Sequence, residues 1–258
     1  MRIKHLSICV LALLGAVPAY ADTIFANIVK VQGPVQSGPA GGLTKIGPAG
    51  ASVGPGDLVV SGIGGSALMK LTPCSVLSLG PDASVSVDRL QLVKGSTGMT
   101  TARSGDFTVS RGGTTFIMES MQGRVNIPGG IISVGTAGTF YVSVSPAGES
   151  IISVLSGNVS VTSSTGETIS LKAGDFSVIS PSGPATATPA AGNPDAESGL
   201  VTAQQALEEA STRSLVCDTT VTRLEGEFLQ LPPQVVPPTS SNPGRPSTPQ
   251  RPPVSPDR

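Results

Sequence analysis

Residues 134–180 read VGTAGTFYVSVSPAGESIISVLSGNVSVTSSTGETISLKAGDFSVIS, and apolar side chains alternate with Ser, Thr and Gly throughout. Phe140, Val142 and Val144 form one run, Ile152 and Val154 a second, Val159 and Val161 a third, Ile169 and Leu171 a fourth, Phe176 and Val178 a fifth. A period of two bounded by turn residues is the signature of half-buried strands. Pro146-Ala147-Gly148, Ser156-Gly157-Asn158, Ser164-Thr165-Gly166 and Ala173-Gly174-Asp175 separate the runs. In such turns Gly supplies positive φ, and Asn or Asp bonds its own backbone. The stretch therefore predicts five short strands joined by tight turns.

Upstream, residues 55–87, PGDLVVSGIGGSALMKLTPCSVLSLGPDASVSV, keep the same habit: Gly56-Asp57 opens a strand, residues 62–65 turn it, and Ala67, Met69, Leu71, Leu77 and Leu79 alternate inward. Gly56-Asp57, Gly105-Asp106 and Gly174-Asp175 begin near copies of one strand and are expected in equivalent turns. Their spacing is uneven, which disfavours a regular short-period solenoid. The fold class expected is all-β, a β-sandwich or irregular β-solenoid. Between the two pieces, residues 100–130 read as an extra strand pair.

In this order, Gly56-Asp57, then Gly138-Thr139-Phe140 leading an alternating strand, then Gly157-x-Val159 and finally Gly174 resemble the FecR domain, an all-β module of bacterial envelopes. The resemblance implies that Gly56, Asp57, Gly138, Thr139, Phe140, Gly157, Val159 and Gly174 are family-motif positions. Regulators of that family carry a cytoplasmic anti-sigma segment and a transmembrane helix before the domain. Only five residues precede the apolar run at the start of this sequence, so the expectation is the envelope-side module without the anti-sigma and transmembrane parts.

That apolar run follows Arg2 and Lys4, extends over residues 6–17, and ends at Ala19-Tyr20-Ala21, the small-x-small pattern read by signal peptidase. Residues 1–21 are thus expected to be a signal peptide, cleaved after Ala21. A run this short falls below the roughly 20 residues needed to span a bilayer, and no later stretch is longer. A soluble periplasmic or secreted protein is expected, with no transmembrane segment.

Cleavage would leave 14 basic side chains against 17 acidic ones, a formal net charge of −3. A nucleic-acid partner is not expected, because no large basic face can be assembled. The same cleavage removes His5, the only histidine, so Ser-His and Cys-His nucleophilic pairs have no base. Calcium would need six to eight converging oxygens, and the tandem repeats that supply them are missing from the sequence. No catalytic residue, metal site or cofactor is expected, and the chain is read as a non-enzyme.

After Ser180 the composition changes. Residues 22–180 are read as the FecR-like β domain, 181–198 as a Pro/Ala/Ser linker, 199–230 as an amphipathic helix and 231–258 as a disordered Pro-rich tail. Leu200, Ala203, Leu207, Ala210, Ser214, Cys217, Val221, Leu224, Phe228 and Leu231 are spaced alternately by three and four. That is a seam for packing on the β domain or for self-association; its small residues favour packing and a monomer rather than an oligomer. A capping box is read at residues 202–205. In the tail, Pro243, Pro246, Pro249 and Pro252 match the three-residue turn of polyproline II.

Outside the leader only Cys74 and Cys217 remain, an even pair suited to an oxidising compartment, and a disulfide between them is expected to clamp the helix onto the sheet. The functional expectation is a binding module for another envelope component, protein or glycan, through strand faces or edge strands. The alternative is a structural or adhesive envelope protein that oligomerises through the C-terminal helix.

Overall fold

A computed structural model describes residues 20–46, 50–94, 100–119 and 121–217. In chain order the strands are β1 (Tyr20–Thr23), β2 (Ala26–Gln32), β3 (Val35–Pro39), β4 (Thr44–Lys45), β5 (Ala51–Val53), β6 (Asp57–Ser61), β7 (Ser66–Thr72) and β8 (Ser75–Leu79). They continue with β9 (Ser84–Lys94), β10 (Thr100–Glu119), β11 (Gln122–Ile127), β12 (Gly130–Val144), β13 (Ser150–Ser163), β14 (Thr168–Lys172), β15 (Asp175–Ile179) and β16 (Thr188–Pro189). One helix follows, α1 (Pro194–Thr212). The protein is all-β with a C-terminal helix.

Three long strands are shared between two layers. The first half of β10 pairs with β9 and, in parallel, with β11; its second half pairs with β8 and β12. Likewise β12 runs from β11 to β10, and β13 changes neighbour from β15 to β14. Layer one therefore reads β4-β3-β6-β9-β10-β11-β12-β13-β14, and layer two β5-β2-β7-β8-β10-β12-β13-β15-β16. The crossings coincide with breaks of register: between Val109 and Arg111 in β10, between Val134 and Gly138 in β12, and at Gly157 in β13. Bulges of this kind bend a strand sharply enough to carry it from one layer to the other.

The Ser156-Gly157-Asn158 segment is thus not a turn between two strands. Gly157 has φ 81° inside β13, and a Cβ there would stand 2.5 Å from the Ala137 oxygen. The second and third expected strands are one. Residues 100–130 do supply the extra pair, β10 and β11.

One contiguous core lies between the layers. It joins Ile28, Met69 and Leu77 of layer two to Val59, Val85, Val125 and Leu171 of layer one. Phe116 sits near its centre, stacked on Phe140 at 5.2 Å between ring centroids and tilted against Phe107 at 5.6 Å. The alternating positions 140, 142, 144, 152, 154, 159, 161 and 171 all point inward and are buried.

The helix differs from its expected bounds. It starts at Pro194, capped by Asn193, whose side chain accepts hydrogen bonds from the Asp195 and Ala196 amides. Glu197 accepts from the Gly192 amide at 2.8 Å, so the helix is capped at Asn193 and not by a box at residues 202–205, and Thr202 lies inside the helix with its hydroxyl donating to the Ser198 oxygen. The expected linker contains β16 and the first turns of α1. After Thr212 the chain leaves the helix, so Ser214 and Cys217 follow it in non-helical backbone. Residues 218–230, the rest of the expected helix, and the tail at 231–258 lie outside the described residues, as does most of the expected leader. The expected cleavage point after Ala21 falls within β1.

Ala196, Gly199, Ala203, Ala206, Leu207 and Ala210 are the buried side of α1. They lie on the outer face of layer two, where Tyr141, Ser153 and Phe176 share one cross-strand row. The expected packing of an amphipathic helix on the β domain is what the structure shows.

Candidate functional site

The family-motif positions do not converge on one place. Gly56 and Gly174 take positive φ in turns, and each turn is closed by the next residue: Asp57 accepts from the Gly54 amide at 2.8 Å, Asp175 from the Lys172 amide at 2.9 Å. Gly105-Asp106 departs from this pattern. Gly105 is buried in mid-β10, where its missing side chain makes room for the Phe107 ring and Met121, and Asp106 points outward to pair with Arg89 at 2.8 Å. Phe140 and Val159 are core, Thr139 is buried, and Gly138 faces Gly157 across the bulge. These residues build the fold.

Cys74 and Cys217 are joined by a disulfide, with Cα atoms 4.8 Å apart across 143 residues of sequence. Cys74 occupies the turn between β7 and β8 at φ 76°. Beside it the Ser75 hydroxyl donates to the Glu119 oxygen and accepts from the Glu119 amide, and the Glu119 carboxylate accepts from the Cys217 amide. The disulfide therefore pins the segment after α1 to the β7–β8 turn, and the Glu119 hydrogen bond ties it to the end of β10.

The two outer faces of the sandwich are unlike. The helix covers that of layer two. In layer one, pairing aligns the outward residues in rows: Ser86, Thr108, Asn126, Ile131, Thr162 and Thr168 in one, and Arg89, Asp106, Arg124, Ser133, Ser160 and Ser170 in the next. All are at least partly exposed. Alternation produces most of this: the strands that bury Val85, Phe107, Val125 and Val161 present Ser, Thr, Asn or Arg on the other side, and Ile131 of β12 is the apolar exception.

The first row is tied together by side chains. Asp88 accepts from the Ser86 and Thr108 hydroxyls and from the Asn126 amide, and Asn126 also reaches Thr108. Thr162 bonds Thr168 at 2.9 Å, and Ser170 donates to Asn158 at 2.7 Å. Such bonds hold the hydroxyls and amides in fixed positions, which lowers the ordering cost for a ligand that docks on them. Arg124 is exposed and makes no ion pair among the described residues. The sequence points to strand faces and edge strands without singling out these residues, because they are common polar ones; their period of two is the available signal.

The face ends at an edge strand. The Ser163 amide donates to the Glu167 oxygen, which fixes the alternation of the β13–β14 ladder. Backbone groups of Ile169 and Leu171 then point to β13, and those of Thr168, Ser170 and Lys172 point away. Asp175 caps the Lys172 amide. The edge at Thr168 and Ser170 is the place where a further strand would pair.

Among the described residues no group of three or more His, Cys, Asp and Glu is placed to hold a metal ion. No described helix is long and apolar enough to cross a membrane.

No protein-family description matches the chain, and no curated protein does. Two crystal structures of a candidate anti-sigma factor from Parabacteroides distasonis, at 1.65 Å and 2.50 Å resolution, are similar to it, each with 14% identity and a TM-score of 0.39. Each match covers 51% of this chain and 59% of the other.

Proposed function

We propose that this chain is an exported FecR-like β module that binds another protein of the cell envelope, without catalysis, through the open outer face of layer one and the β14 edge. The observation that carries this reading is the asymmetry of the sandwich. One outer face is closed by the chain's own helix; the other presents positioned hydroxyls, amides and the unpaired Arg124 next to an edge strand. Extended segments add to such edges through main-chain hydrogen bonds, with alternate side chains read by the neighbouring face.

A protein segment fits better than a glycan. Among residues with described side chains, Phe107, Phe116 and Phe140 are in the core, Tyr141 and Phe176 lie on the α1 side, and Phe25, which is exposed, stands against Gly54 ahead of β6. The two outward rows of layer one thus carry no ring on which a sugar could stack. A periplasmic or secreted location is supported by the leader pattern and by a disulfide, which persists where thiols are oxidised. The alternative of an oligomer built on the helix finds its seam residues Ala203, Leu207 and Ala210 buried against the chain's own sheet.

Photo-cross-linking in living cells tests the reading. A cross-linking residue at Ser160 or Ser170 is expected to yield a discrete adduct with an envelope protein, and one at Thr212, on the exposed side of α1, none. Adducts at Thr212 alone, or retention on purified envelope glycan that Arg124→Glu leaves unchanged, would contradict it. N-terminal sequencing of the exported chain is expected to begin at Asp22; an intact Met1 in the membrane pellet would overturn the export step.

A further inference from the structure

We propose that α1 is a redox-released cap: the Cys74–Cys217 disulfide holds the C-terminal half of the helix on layer two, and reduction frees that half while the β fold stays intact.

The helix is lightly held along its length. Its buried side is Ala196, Gly199, Ala203, Ala206 and Ala210, with Leu207 the one long aliphatic residue among them. Stabilisation by burial follows the apolar area removed from water, and alanine brings little. The Ser153 hydroxyl beneath Gly199 and the Ser211 hydroxyl on the helix are both buried without a hydrogen-bond partner. A buried unpaired hydroxyl works against the contact that buries it.

The two ends of the helix are anchored differently. At the start, Ala196 and Leu200 belong to an apolar cluster with Phe176, Ala190, Ile151 and Val178, and Asn193 caps the first turn. At the other end Leu207, Ala210 and Val216 are buried, and the ion pairs beside them are partly exposed. Glu209 pairs with Lys30 of β2 and with Arg213. Ser214, at φ 53°, turns the chain back so that the Leu215 amide reaches the Ala210 oxygen and Val216 is buried. Then comes the Cys217 bond to the β7–β8 turn. The covalent link is the strongest single restraint at that end.

Cys217 is exposed and Cys74 half-buried, so an external dithiol has access. Its thiolate attacks the Cys217 sulfur, and Cys74 departs as a thiolate that takes up a proton. The reductant's second thiol, as thiolate, then displaces Cys217, which is protonated in turn, and closes the reductant's own disulfide. Two electrons and two protons pass to the protein. What remains at that end is the pair with Lys30, the Cys217 amide bond to Glu119 and the contacts of Leu207, Ala210 and Val216, and the helix opens from Cys217 back toward Leu200. The outward side chains Leu68, Val76 and Ile117, all buried in the oxidised chain, lie on the face so bared.

Amide hydrogen exchange on the full chain, oxidised and then treated with dithiothreitol, tests the proposal. Protection over residues 203–216 is expected to fall by about ten-fold or more on reduction, while Phe116, Val142 and Ile152 in the core strands keep theirs. The double variant Cys74→Ser/Cys217→Ser should match the reduced wild type. Three results would overturn the cap: unchanged protection over 203–216 in reduced protein, a loss shared equally by the core strands, or a bond that dithiothreitol cannot reduce until the whole fold is denatured.

Discussion

Gly199 of α1 lies directly on Ser153 of β13: a Cβ at position 199 would stand 2.9 Å from the Ser153 hydroxyl and 2.8 Å from the ring of Tyr141. The lack of a side chain at that point sets how close the helix comes to the sheet. Gly199→Leu must lift or tilt the helix, and overpacking of this kind costs about 1–3 kcal/mol. Urea unfolding is expected to show a lower midpoint. An unchanged midpoint would mean that the helix has room to shift without loss.

Phe116 touches two other rings and is fully buried where β10 passes through layer two. Phe116→Ala removes the middle of the stack and leaves a cavity that the paired strands cannot close. The expected loss is about 3–5 kcal/mol, a large fraction of the stability of an ordinary domain. Phe116→Leu should recover a substantial part of it. Equal losses in the two variants would show that the ring stack, and not the filled volume, sets the stability here.

Gly157 and Gly174 look alike in sequence and have nearly the same φ, 81° and 87°. Their surroundings differ. A Cβ at Gly157 would press on the Ala137 backbone, whereas at Gly174 nothing lies within 4 Å. Gly174→Ala is expected to cost about 1 kcal/mol through its left-handed backbone alone, and Gly157→Ala more, because the clash falls where β13 crosses between layers. Equal losses for the two would refute the assignment of Gly157 to a bulge under close backbone contact.

That comparison also marks the limit of what the sequence discloses. Alternation placed Phe140, Val142, Ile152, Val154, Val159, Val161 and Leu171 in the core, because a period of two needs no knowledge of neighbours. It did not tell a turn from a bulge, since Gly157 meets the same demand for positive φ in either. Gly105-Asp106 copies the letters of the Gly56-Asp57 turn without its positive φ, and the space its glycine frees is filled by Phe107 and Met121. With two cysteines outside the leader, counting alone pointed to the pair that the structure joins. The open face of layer one was hidden because Asp88, Thr108 and Asn126 come from different strands, and only the register brings them together.

The start of α1 is written in the sequence within a stretch whose Pro/Ala/Ser composition reads as linker. Asn193-Pro194 places a capping side chain before a proline at the first helical position, and Glu197 stands where it can reach back to the Gly192 amide. The Asn193 oxygen takes hydrogen bonds from two otherwise unpaired amides, at 3.1 Å from Asp195 and 3.0 Å from Ala196. Asn193→Ala is therefore expected to destabilise the chain by about 1 kcal/mol, and Asn193→Asp, which keeps an acceptor, by much less. Thermal unfolding of both variants gives the readout, together with hydrogen exchange at Glu197 and Ser198. A helix beginning at residue 199 would leave Asn193 outside it, and both variants would then melt with the wild type.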